Sequence, residues 1–151
     1  MTDIVDKATR SRMMSGIRGK DTKPEMVLRR AMHAIGLRYR LHRMDLPGSP
    51  DIVMPGRRAV VFVHGCFWHR HEGCRFATTP ATRPEFWQAK FEANIARDRR
   101  HVMQLLREDW RVATVWECAL RTAGMPEVAA RKVHEWLDGD TDRLDIGAGV
   151  S

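Results

Sequence analysis

The chain has 151 residues, 43% of them apolar, enough for one compact domain with one core and hardly for two. Its longest uninterrupted apolar run, Ala59 to Val63, is far too short to cross a bilayer, and MTDIVDKATR at the start holds acids where a secretory leader needs an apolar stretch, so a soluble, cytoplasmic protein is expected. The formal charge of +7 comes from 26 basic and 19 acidic residues, and residues 1–43 carry eleven Lys/Arg against four Asp/Glu, so the whole excess sits in the first third. That asymmetry suggests a polyanion, above all nucleic acid, with a solvated basic face on an unrelated enzyme as the alternative.

Residues 1–20 are basic and weakly patterned and read as an N-terminal arm or a short helix. DTKPE then reads as a helix start, with Thr22 as N-cap, Pro24 in the first turn and Glu25 three residues on; Leu28, Ala31, Met32 and Ile35 form an apolar stripe that Gly36 stops. LRYRLH (37–42) alternates as a half-exposed strand, LPGSP is a loop, and DIVM, the turn PGRR and AVVFVHG read as two paired strands, the second buried. Residues 85–108 are expected to be one long helix, with Trp87, Phe91, Ile95, Val102, Leu105 and Leu106 near helical spacing and Asn94, Asp98 and His101 aligned at i, i+4, i+7. WRVATVWE is a further strand and Glu127 to Leu137 a last helix; the acidic, Gly-rich residues 138–151 are expected to be a loose tail after a 21–137 domain. The order describes an α/β fold, a mixed β-sheet flanked by helices.

The densest chemistry is Val63 to Cys74, VHGCFWHRHEGC, with three histidines, two cysteines, two aromatics and two glycines at the end of a buried strand. A metal, a catalytic imidazole and a ring-stacking surface would each use such residues. Three cysteines form no even disulfide set and are expected to stay reduced; beside histidines they fit a Cys₃His zinc site, or else an inert buried Cys118 with two incidental loop thiols. Asp51 opens the strand whose neighbour ends at Val63 and His64, an arrangement able to hold an oxygen-seeking cation such as Mg²⁺, although on its own a turn carboxylate after Pro50 is the simpler reading.

The segments PGSPDIV, VFVHGCFWHRH, PATRPEFW, NIARDRR and WRVATVWECAL, with DKATRSRMMSGIRGKDT at the start, occur in an order and spacing that closely resemble the very-short-patch mismatch-repair (Vsr) endonucleases over about Asp6 to Leu137. The resemblance implies a restriction-endonuclease-like fold with a structural zinc site. It also implies a Mg²⁺-dependent nickase that cuts duplex DNA 5′ of the thymine of a T·G mismatch left by deamination of 5-methylcytosine. A monomer is expected, and a mismatch-repair protein is a candidate partner. The competing readings are a restriction-type nuclease on matched duplex and a zinc-stabilised DNA-binding module without catalysis.

Carried onto this sequence, the resemblance makes Asp51 the metal-binding aspartate and the backbone carbonyl of Val63, where the family often has Thr, a second Mg²⁺ ligand. His69 matches the catalytic histidine, whose imidazole suits proton transfer at neutral pH, although on the residues alone it reads equally as a zinc ligand. His64 and Asp98 would hold metal-bound waters, where a hydrogen-bonded strand-end imidazole and a helix-surface ion pair with Arg97 or Arg99 are the plainer readings, and Glu25 would join them unless it closes a capping box with Thr22. The zinc ligands would be Cys66, His71, Cys74 and Cys118, with Glu72-Gly73 one residue longer than the family spacing. Phe67, Trp68 and Trp87 would wedge into the duplex beside the mismatch, where core packing is the simpler reading. Arg10, Arg12, Arg18 and Lys20 would clamp phosphate.

Overall fold

The computed structural model describes residues 22–147. Helix α1 (Lys23–Ala34) begins with Pro in its first turn, where the missing N–H costs nothing. It ends in a Schellman motif: Leu37 N–H reaches the Met32 carbonyl at 3.1 Å, Gly36 N–H reaches His33 at 3.0 Å, and Gly36 adopts φ +95°. Because the helix stops at Ala34, Ile35 falls off the apolar stripe and is 40% exposed, unlike Leu28 and Met32, which are fully buried. Burial of each of those two side chains contributes roughly 1.5–3 kcal/mol.

The expected strand at 37–42 shrinks to an exposed edge, β1 (Arg40–Leu41), because Leu37 turns into the core and the Tyr39 hydroxyl donates back to the Arg29 carbonyl at 2.7 Å. Strand β2 (Ile52–Met54) and a 3₁₀ turn at Pro55–Arg57 lead through left-handed Arg58 into β3 (Ala59–His64), buried along its length. Helix α2 (Pro84–Arg107) closes with the same six-to-one bond, Trp110 N–H to the Leu105 carbonyl at 2.9 Å, with Asp109 at φ +65° in the position glycine usually takes. Strand β4 (Arg111–Trp116), a 3₁₀ turn (Glu117–Leu120) and helix α3 (Met125–Asp138) follow.

Within the segment after Asp138, expected to be loose, residues Arg143–Ile146 instead form a fifth strand, β5. Its backbone pairs in parallel with β4, from Val112 opposite Arg143 to Val115 opposite Ile146, and Ile146 is buried. Backbone pairing does not depend on the acidic composition that suggested a tail, and the Trp116 indole N–H donates to the Asp145 carboxylate at 3.0 Å. Arg111 closes the same corner: its guanidinium donates to the carbonyls of Leu137 and Thr141, each at 3.0 Å, and lies 4.6 Å over the Trp136 ring.

The five strands stand in the order β1-β2-β3-β4-β5, antiparallel through β3 and parallel beyond it. The strand period of two sends Ala59, Val61 and Val63 to one face, beneath α1 and α3, and Val60 and Phe62 to the other, beneath α2. His64 continues the Val60–Phe62 side and so faces α2. Among the described residues no helix is long and apolar enough to cross a membrane.

Candidate active site and metal centre

The topology gathers the chemistry at one edge. Since β2 runs against β3, its first residues lie beside the last residues of β3, and the parallel β4 ends there too, His64 opposite Trp116. Asp51, 6% exposed, accepts the Val63 amide N–H on Oδ2 at 2.8 Å. The Val63 carbonyl is the expected cation ligand, and the contact between Val63 and Asp51 runs through the N–H.

The loop after β3 turns back on itself. His69 N–H bonds the Gly65 carbonyl at 3.1 Å and His71 N–H bonds the Cys66 carbonyl at 3.0 Å. Arg70, at φ +54°, sends its guanidinium under the loop to the carbonyls of Phe67 (3.2 Å), Ala77 (2.9 Å) and Thr78 (2.9 Å), 3.9 Å over the Phe91 ring. Burial depresses its pKa, so the arginine is a structural clamp more than a surface charge. Asn94, buried in the first half of α2, donates to the Trp68 carbonyl at 3.0 Å and ties loop to helix. Neither role was visible in the sequence; the alignment of Asn94 with Asp98 on one helical face was its only trace.

This backbone path presents His69 to α2. Its Nδ1 lies 2.7 Å from Asp98 Oδ2, while Arg97 stands at 4.0 Å from the same carboxyl group, so the histidine is the closer partner. The His69 ring stacks on His64 at 3.8 Å with an interplanar angle of 5°, and its Nε2 is buried without a hydrogen-bond partner. A carboxylate on Nδ1 favours the tautomer with the proton there and the lone pair on Nε2, the arrangement of a general base. His69, Asp98 and His64 line a groove of about 930 Å³ between α2 and the sheet.

The four predicted zinc ligands converge. Cys66, His71, Cys74 and Cys118 offer donor atoms all within 4.8 Å of one another, and the edge of a zinc–thiolate tetrahedron is about 3.8 Å. Cys118 Sγ lies 3.4 Å and Cys66 Sγ 3.7 Å from His71 Nδ1, and the His71 ring stacks on Trp116 at 4.2 Å. Burial, then the neighbouring thiols, push Cys66 up to about 12, while burial lowers the His71 pKa toward its neutral, ligating form. Three thiols and a neutral imidazole meeting at half-buried depth fit a closed Zn²⁺ site. Between His71 and Cys74 the chain turns, with Cys74 N–H on the His71 carbonyl at 3.2 Å and Gly73 at φ +72°.

Glu25 was claimed by two readings. Thr22 makes no side-chain cap hydrogen bond, and Glu25, 1% exposed, turns its Oε2 to His42 Nε2 at 2.7 Å and Arg29 at 3.0 Å, so the capping box does not form. Glu25, His42 and Asp51 bring their donor atoms within 4.8 Å of one another. Buried carboxylates this close repel unless a cation or proton stands between them, and Asp51 offers the hard oxygen donor that Mg²⁺ takes. His42 read only as the outward end of a strand.

Phe67, Trp68 and Trp87 meet as a half-buried aromatic group: Phe67 lies 4.9 Å from Trp68 and 5.8 Å from Trp87, both edge to face, with Phe91 beneath. Packing and partial exposure coexist here, as a wedge requires. Arg10, Arg12, Arg18 and Lys20 lie outside the described residues.

A family model described as DNA mismatch endonuclease Vsr matches residues 2–75. The type II nicking enzyme V.XorIIP of Xanthomonas oryzae pv. oryzae is 50% identical over 133 residues, covering 88% of this chain and 97% of that protein. DNA mismatch endonuclease Vsr of Escherichia coli K12 is 44% identical over 142 residues, 93% and 90% of the two chains, and the type II nicking enzyme V.NmeAIP of Neisseria meningitidis is 39% identical over 121 residues, 80% and 86%.

Proposed function

This chain belongs to the Vsr family of DNA mismatch endonucleases, and from that premise we propose that it nicks duplex DNA 5′ of the thymine of a T·G mismatch, in a Mg²⁺-dependent reaction that starts short-patch repair of deaminated 5-methylcytosine. The observation that carries this reading is the His69–Asp98 pair, an oriented imidazole with a buried, unpartnered Nε2. Nε2 takes a proton from the attacking water, and Asp98 holds the ring and stabilises the imidazolium that results. His64 supports the ring by stacking. Asp51, with the Val63 carbonyl and Glu25, would hold the catalytic Mg²⁺. When bound, that ion supplies charge stabilisation at the scissile phosphate and the leaving oxygen.

Cys66, His71, Cys74 and Cys118 would hold Zn²⁺ and staple the His69 loop to the end of β4, so that loop order and imidazole position are one property. Phe67, Trp68 and Trp87 enter the base stack. Unstacking costs a few kcal/mol per step and less at a mispair, which gives preference for a mismatch a physical basis. Arg10, Arg12, Arg18 and Lys20 neutralise phosphate and make binding salt-dependent. The enzyme works as a cytoplasmic monomer, with a mismatch-repair protein as a candidate partner.

The test is a nicking assay with Mg²⁺ on an end-labelled duplex carrying one T·G pair, beside a matched T·A duplex and Asp51→Ala protein, across several sequence contexts. One cut 5′ of the mispaired thymine, lost in the variant, is expected. Equal cutting of the matched duplex would favour a restriction-type enzyme, and binding without cutting a DNA-binding module.

A further inference from the structure

His42 lies outside the machinery proposed above, yet its placement is costly. It adopts φ +52°, a left-handed conformation that non-glycine residues hold when their surroundings impose it. The surroundings here are specific: His42 N–H donates to the Asp51 backbone carbonyl at 3.1 Å, and the side chain, 17% exposed, turns in to place Nε2 2.7 Å from Glu25 Oε2. Glu25 and Asp51 are themselves buried, and one donor atom from each of the three residues lies within 4.8 Å of the others. Arg29 reaches the same Glu25 oxygen from the α1 side at 3.0 Å, and His42 stands beside both carboxylates.

We infer that His42 is a protein ligand of the cation that Asp51 and Glu25 hold, making this a two-carboxylate, one-imidazole site that prefers Mn²⁺ to Mg²⁺. Two donors on adjacent vertices of an octahedron with 2.1 Å bonds stand about 3.0 Å apart. The His42–Glu25 separation of 2.7 Å is close to that edge, and the Asp51 donor, within 4.8 Å of both, would draw in toward it. On ligation the Nε2 lone pair goes to the cation, and any proton there leaves to solvent. Imidazole suits first-row transition metals, whereas Mg²⁺ prefers carboxylate, carbonyl and water oxygens. The backbone bond from His42 to Asp51 moves the two ligands as one unit.

This inference rests on the reading of Asp51 as a metal ligand, and the test separates the two. Zinc-loaded full-length protein is titrated with Mn²⁺ and followed by electron paramagnetic resonance of free Mn²⁺, with Mg²⁺ as competitor. Spin-echo modulation from a directly bound ¹⁴N is read on the Mn²⁺ complex. Wild type is compared with His42→Gln, His42→Asn and Asp51→Asn, each checked for native circular dichroism and one zinc per chain. The expected result is loss of the ¹⁴N modulation and about tenfold weaker Mn²⁺ binding in both His42 variants, with Mg²⁺ binding changed less than about threefold. Retained modulation and affinity in His42→Gln, with binding lost in Asp51→Asn, would overturn the His42 assignment and leave the Asp51 reading standing. Wild-type Mn²⁺ binding in all three variants would overturn both.

Discussion

Removal of the Asp98 carboxylate isolates the part of the mechanism that the geometry specifies most closely. Asp98 Oδ2 stands 2.7 Å from His69 Nδ1, with the two side chains 20% and 9% exposed, so the pair is shielded on the histidine side and only partly screened. A hydrogen bond to a charged partner contributes about 1.5–3 kcal/mol, and the charge on His69 appears only as the water proton is transferred, so most of this energy belongs to the transition state. Each 1.36 kcal/mol is tenfold in rate, so Asp98→Ala is expected to slow cleavage about 13- to 160-fold. The assay is single-turnover nicking at saturating enzyme on a T·G duplex, with affinity measured separately on the same duplex in Ca²⁺. The loss should fall on the cleavage rate, with DNA affinity within about threefold, because Asp98 touches His69 and not the aromatic wedge. Asp98→Asn keeps the shape and should recover part of the rate only where its amide oxygen faces Nδ1. Cleavage by Asp98→Ala within twofold of wild type, or a loss confined to affinity, would refute the general-base role of the pair.

Two further outcomes follow from contacts elsewhere in the molecule. Cys118→Ser removes one of four converging donors and should lower zinc content well below one per chain by atomic absorption. A ligand present at 100 to 1,000 times its dissociation constant stabilises by about 2.7–4.1 kcal/mol, or roughly 8–12 °C in Tm at some 3 °C per kcal/mol for this size; an unchanged Tm in a zinc-free variant would remove the staple from the account. The second outcome concerns His101, which packs against Gly48 and whose pKa burial depresses below its ordinary 6.5, with Asp98 opposing. Because the folded state favours neutral imidazole, its contribution is present above about pH 6.5 and is lost as pH falls through the lower folded value. Urea midpoints of wild type and His101→Gln should therefore converge between pH 7.5 and about pH 5, and parallel midpoints would contradict the burial argument.

Much of this protein was legible in one dimension because its determinants are local. Hydrophobic period placed α1, α2 and the β2–β3 pair, and the mixed sheet flanked by helices followed from their order. The residues alone pointed to three thiols beside a histidine cluster, the resemblance to the Vsr family singled out His71 from its neighbour His69, and the structure brings Cys66, His71, Cys74 and Cys118 together. Periodicity placed Asn94 and Asp98 on one face of α2. Only the tertiary structure decided what that face meets: the loop clamped by Arg70 delivers His69 to Asp98 across 29 positions of sequence. It also decided between two local readings of Glu25, since a capping box competes with a partner 17 residues away and the buried bond to His42 prevails. Strand β5 was hidden because composition reports side chains, whereas its place in the sheet comes from backbone groups that any residue but proline can pair. His42 escaped for the related reason that alternation assigns a face only while a strand continues; this one ends at Leu41, and the left-handed turn that follows sends the imidazole inward to two buried carboxylates.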